Sequence, residues 1–193
     1  MRLRCITPPD PAAPLVSVEA AKVWLRVSGH EEDDLIAGLV ASAVGHLDGW
    51  TGILGRALAP QVWELTLEEL PPGAIDLPLG PVMSVASLAW QDAAGALHAL
   101  DASAWRLVAP GMVRGRVVPV AAWPWPAEAV GVVVRWEAGE GCPAPVRTAI
   151  LMLVAHGYAN REAVGVGGTG AQAQIEVPLG VAALIAPWRV TAL

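Results

Sequence analysis

The apolar residues Leu35, Ile36, Leu39, Val40, Ala43, Val44, Leu47 and Trp50 recur at intervals of three and four. That spacing predicts a helix with one buried face over 35–50. A shorter helix is predicted just before it, over Val18 to Arg26, with Ser17 as its N-cap and Glu19 in its first turn. Ser28 and Glu31 stand at capping-box spacing ahead of the longer helix. Glu31, Glu32, Asp33 and Asp34 then fall at its positive end. Gly52 and Gly55 are the expected stops.

Past Pro60 the period changes from helical to alternating. In "QVWELTL", Trp63, Leu65 and Leu67 point to one side. "AIDLPLGPVMSVASLAWQDAAGALHAL" reads as strand, Pro/Gly break, strand, turn at Asp92 to Gly95, strand. "AWRLV" and "MVRGRVVPV" flank a turn at Pro110 and Gly111, and the β-branched "AVGVVVRWEAG" is the strongest strand. An antiparallel β-unit of about five to seven strands follows. Inside it, "WPWP" at 123–126 cannot join a ladder and is expected to be a sticky apolar loop.

The helical period then returns. Pro143 and Pro145 mark a helix start, and Val146, Ile150, Leu151, Leu153, Val154 and Tyr158 form one broad face. Gly165 to Gly170 reads as a hinge. "IEVPLGVAALIAPWRVTAL" ends the chain with a short apolar helix and Pro187-Trp188-Arg189.

The predicted class is α+β. A small bundle of two N-terminal helices, one late helix and a short C-terminal helix carries an inserted antiparallel β-unit. Its expected segments are an irregular Pro-rich arm and two helices over 1–59, and the β-unit over 60–137. The late helix follows over 138–164, then a flexible link and tail over 165–193.

Composition adds one constraint. Hydrophobic residues make up 54% of the chain and mean hydropathy is +0.49. Yet the longest charge-free stretches fall short of the ~18 to 20 residues a transmembrane helix needs, and residues 1–10 hold no apolar leader core. Burial between subunits accounts for the excess, because obligate interfaces resemble a core cut in half. One Lys stands against eleven Arg, with one Tyr and no Phe. This is the mark of a GC-rich genome rather than of phosphate recognition. The net charge of −6 and the lack of a basic stripe along the chain agree.

No arrangement of side chains rises to a catalytic site. His30, His46, His98 and His156 are scattered, with no i, i+4 pair for a metal. Cys5 and Cys142 form neither a disulfide framework nor a zinc site. "GVGGTG" at 165–170 lacks a phosphate loop's following Lys and its preceding strand. His156 and Tyr158 point to different helix faces. Glu64 and Asp76 are the carboxylates left to a hydrolase reading. Gly38, Ser42, Gly45 and Gly49 form a small-residue stripe on the 35–50 helix. Either this stripe lets another helix approach or it reflects drift toward Gly.

Four stretches, in order, carry a resemblance. "VSVEAAKVWLRVSGHEEDDLIAGLVASAVGHLDGWTG" resembles the opening of the head–tail connector (adaptor) proteins of long-tailed bacteriophages. "IDLPLGPVMSVASLAWQDAAG" resembles their L-P-x-x-P-V-x-S-V stretch and D-x-x-G turn. "PAPVRTAILMLVAHGYANREA" is similar to their late helix, and "VPLGVAALIAPWR" to their closing signature. The match spans about residues 16–189; Gly157, where the family often has a bulky residue, departs from it. The resemblance implies a structural ring of about twelve copies under the portal, joining it to stopper or tail proteins. Double-stranded DNA would pass through without sequence-specific contact, along a lumen expected to be neutral to acidic, because phosphate anchors would hinder a conduit. It implies no enzyme activity, cofactor, metal or membrane partner. It allows an infectious phage, a prophage remnant or a gene transfer agent, assembled in the bacterial host cytoplasm. Leu179, Leu184, Ile185, Pro187, Trp188 and Arg189 are the expected portal-docking residues. Gly38, Ser42, Gly45, Trp50, Tyr158 and Arg161 are expected in helix or subunit packing. Other readings are a stopper or tail-completion protein and, remotely, a particle-associated hydrolase.

Overall fold

The computed structural model describes residues 1–108, 110–111, 113–160 and 179–190. The chain is α+β, with four helices and eight strands among the described residues. They form two compact units: residues 1–13 with 56–141, and residues 14–55 with 142–193.

The first unit holds every strand. β1 (Arg2–Thr7), β2 (Gln61–Leu67), β4 (Val82–Asp92), β5 (Leu97–Ala99) and β8 (Ala129–Ala138) make one antiparallel sheet in the order β1-β2-β8-β4-β5. β3 (Ile75–Leu77), β6 (Trp105–Val108) and β7 (Gly115–Pro119) make a second, in the order β3-β7-β6. The alternation read in β2 sets the register. Trp63 pairs with Trp136 and Leu65 with Val134, which aims these side chains into the core. Ile75, Leu77 and Val117 of the smaller sheet fill the same core. The sheets approach closely where Gly115 faces Val82; a Cβ there would lie 2.6 Å from the valine. Trp136 is fully buried, and its indole N–H donates to the Leu79 carbonyl at 2.9 Å. Burial therefore leaves no unmet donor on that ring.

Two expectations for this unit are corrected. The arm over 1–15 is not irregular throughout, because Arg2–Thr7 is an edge strand paired to β2. Its Arg-Leu-Arg-Cys alternation is a strand signal that the following prolines obscure. The "WPWP" loop is not a sticky surface. Trp123 is 9% exposed, and the Trp123 and Trp125 indoles stack at 4.9 Å. Their N–H groups donate to the Gly73 and Pro71 carbonyls. The prolines keep the loop out of the ladder, and the indoles turn inward to close the core.

The second unit is helical: α1 (Val18–Leu25), α2 (Asp33–Leu47), α3 (Ala144–Ala159) and α4 (Leu179–Ile185), then a short 3-10 turn over Ala186–Trp188. Ser17 caps α1 as expected, accepting from the Ala20 amide at 3.1 Å. The Ser28–Glu31 capping box does not form. Glu32 is the N-cap and makes no side-chain cap bond. Gly29 at φ +91° turns the chain away, and Asp33 is drawn instead to Lys22 and His30. α2 also ends before Trp50: Asp48 is extended and Gly49 has φ +79°. α2 buries Ile36, Val40, Ala43 and Leu47, and α3 buries Val146, Ala149, Ile150 and Val154.

Candidate functional site

Within the helical unit, α2 and α3 pack together. The Tyr158 hydroxyl donates to the Glu32 carboxylate and ties the end of α3 to the start of α2. Gly157 completes that contact. A Cβ there would come 2.9 Å from Leu39 Cδ2. His156 receives the Asn160 side-chain amide on its backbone carbonyl at 2.8 Å, an end cap for α3. Tyr158 thus links α3 to α2 through its hydroxyl; Arg161 and Glu162 lie outside the described residues.

The opposite side of α2 is open. Ala37, Gly38, Ala41, Ser42 and Gly45 are all exposed, and a Cβ on Gly38 or Gly45 would meet nothing within 4 Å. Among the described residues nothing of its own unit packs on the stripe. Leu35, 40% exposed, stands at one end of the face. Trp50, 50% exposed, lies past the other end in the following turn, not on the helix as the apolar spacing implied.

The tail residues divide. Val181 and Ile185 are buried, at 0% and 2% exposure, with α4 against α3. A Cβ on Gly180 would meet the Met152 methyl at 2.8 Å, and the Val190 amide donates to the Leu54 carbonyl at 2.8 Å. Ile185 is thus a core residue of this unit, a correction to its place among the docking side chains; the helical period turns it inward with Val181. Pro187 and Arg189 are exposed, and Leu184 and Trp188 half-buried. Leu179 opens α4. The Gly165–Gly170 hinge lies outside the described residues.

Several carboxylates are held in ion pairs. Asp33 accepts from Lys22 at 2.6 Å and pairs with His30 at 2.8 Å; these hydrogen bonds hold its carboxyl below the usual range. Glu64 lies between Arg4 at 2.9 Å and Arg135 at 2.8 Å. Burial alone would raise its pKa, but hydrogen bonds from Arg135 and Arg4 outweigh burial and lower it. Asp76 pairs with Arg116 at 2.7 Å. Both carboxylates of the hydrolase reading are thus counter-ions of arginine. Burial pushes the Cys142 thiol up, away from the thiolate a nucleophile needs. No group of three or more His, Cys, Asp or Glu that could hold a metal occurs among the described residues. None of the described helices is long and apolar enough to cross a membrane.

No protein-family model and no curated protein matches the chain. Solved structures do. The chain is similar, at 28% identity and TM-score 0.77, to one from the neck of an empty gene transfer agent (GTA) particle computed with C6 symmetry. It is similar to one from the virion of a native GTA particle, at 28% identity and TM-score 0.74. A third, from the neck of a native GTA particle computed with C12 symmetry, gives 27% identity and TM-score 0.72. Each likeness covers 100% of this chain and 97% of the other. The likeness supports a neck protein of the head–tail connector type. The motif order over 16–189 and these neighbours agree on a neck component. What sequence reasoning missed in this neck protein is the Arg4–Glu64–Arg135 row, which became visible only once β1 was paired. The one available signal was alternation of Arg2 and Arg4 with Leu3 and Cys5.

Proposed function

We propose that this neck protein is the adaptor. About twelve copies form a ring that binds the portal on one side and a stopper or tail protein on the other. Double-stranded DNA passes through the ring without sequence-specific contact. The reading is carried by the end-to-end likeness to neck chains of particles computed with C12 and C6 symmetry. The open α2 face supports it. Small side chains let a neighbouring copy approach closely, and about fifteen residues of helix at ~1.5 Å rise offer a seam of roughly 22 Å. Gly38, Ser42 and Gly45 line that seam, with Leu35 and Trp50 beside its ends. The outward tail residues Leu184, Pro187, Trp188 and Arg189 are the portal contact, held in place by Val181 and Ile185 beneath them. As a ring component the protein needs no cofactor and has no enzymatic role.

Electron microscopy of the purified protein mixed with isolated portal tests this. An adaptor decorates portal with a ring. If portal stays bare until another neck protein is added, the protein is a stopper or tail-completion component instead.

A further inference from the structure

We propose that the outer face of the β3–β7–β6 sheet binds the phosphodiester backbone of duplex DNA. This adds a DNA-contacting surface to the ring reading, but it is tested on free duplex, so its failure would leave that reading standing. Along the sequence no basic stripe is visible, yet residues 102–127 contain Arg106, Arg114 and Arg116 and no Asp or Glu. The fold gathers them. Arg106 lies opposite Val118, and Arg116 opposite Val108. The two arginines are therefore diagonal neighbours on one face, roughly 7 to 8 Å apart at their backbones. Arg114 is exposed immediately before β7, and Arg106 and Arg116 are exposed too. Among the described residues, strand pairing puts one carboxylate on this face, Asp76 opposite Arg116. Asp101, just upstream, turns its carboxylate to the Ser103 amide at 2.8 Å.

A repeating polyanion fits this face better than a protein does. Protein interfaces centre on buried aromatic anchors, but Trp105 points the other way and packs against the core. Guanidinium groups on an extended hairpin match phosphates set along a strand. Each exposed contact is weak and screened by salt. Repetition around a ring adds them, so DNA is held without being locked, in place of the neutral to acidic lumen expected from the sequence. The whole chain carries a net charge of −6, so surfaces away from the patch repel DNA and confine the contact to it.

The test measures binding of the full-length protein to a short blunt duplex across a salt series, from about 20 to 300 mM NaCl. Wild type binds with a steep salt dependence. The double variant Arg106→Ala/Arg116→Ala loses roughly 1.8 from the log–log slope, about 0.9 per phosphate contact. Arg2→Ala, on the other sheet, leaves the slope unchanged. Asp76→Asn, which removes the competing carboxylate, tightens binding, an outcome that misfolding cannot mimic. The proposal is overturned if wild type fails to bind at the lowest salt, or if the double variant keeps the wild-type slope. It is equally overturned if Asp76→Asn binds no tighter, or if the arginine variants lose portal or self-assembly while DNA binding is intact.

Discussion

Replacing Glu64 with Gln should destabilise the β-unit measurably, because one carboxylate serves three strands. Arg4, Glu64 and Arg135 stand in direct register across β1, β2 and β8. The acid's side chain is 10% exposed, and its partners' are 55% and 43%. An exposed pair is worth about 0–1 kcal/mol, and breaking a buried one costs about 3–5 kcal/mol. A buried acid with half-exposed partners falls between these, so about 2 kcal/mol is expected. For a chain of this length that lowers Tm by roughly 4 to 8 °C. The pH dependence has a definite sign. The folded carboxyl lies below its ordinary 4.5, so its stabilisation is present above that value. It is lost as pH falls through the depressed folded pKa. Thermal melts by circular dichroism should show the full gap between wild type and Glu64→Gln at neutral pH. The gap should narrow as pH falls through that depressed pKa, where wild type also comes to carry a neutral side chain. A double-mutant cycle with Arg4→Ala and Arg135→Ala should return coupling for both pairs. A Tm change under about 1 °C, or a gap that does not narrow in acid, would refute the reasoning.

Gly38→Leu/Gly45→Leu should leave the helical unit as stable as wild type or slightly more so, since both sites are open and Gly costs a helix about 1 kcal/mol. The same variant should abolish self-association, and sedimentation velocity beside a melting curve checks both. Gly139→Ala should cost more than about 3 kcal/mol, since φ is +96° and the new Cβ would lie 2.1 Å from the Ala59 carbonyl oxygen; denaturant unfolding reads this. Val181→Asp should unfold the helical unit or lower its melting temperature by several degrees, because the site is fully buried. Trp188→Ala, on a half-buried residue, should lower Tm less while weakening portal capture in a pull-down.

Much of this architecture was legible from periodicity. α2 and α3 announced themselves by apolar spacing, and β2, β4 and β8 by alternation between Gly and Pro breaks. These are the elements whose burial pattern is set by local side chains. What was hidden depends on partners distant in sequence. β1 needs β2, about sixty positions away, before its two arginines have meaning. The Trp123–Trp125 loop looks sticky until Pro71 and Gly73 supply acceptors. The Ser28–Glu31 box had correct spacing and lost to Gly29 and the Lys22–Asp33 ion pair. The surfaces were less legible than the fold. A Gly-Ser-Gly stripe reads alike whether it is packed or open, and only the structure shows that no described residue of its own unit covers Gly38 or Gly45. Ile185 and Trp188 looked equivalent in the tail, but the helical turn buries one and leaves the other half-covered.

The central claim, that this chain is built into a particle neck, is tested most directly by locating it in assembled particles. Gold labelling of an epitope-tagged chain in purified particles, followed by electron microscopy, should place label at the junction of head and tail and nowhere else. Averaging along the particle axis should show rotational repeats at that level. Label spread over the head shell or along the tail, or its absence from particles that are otherwise complete, would contradict the account.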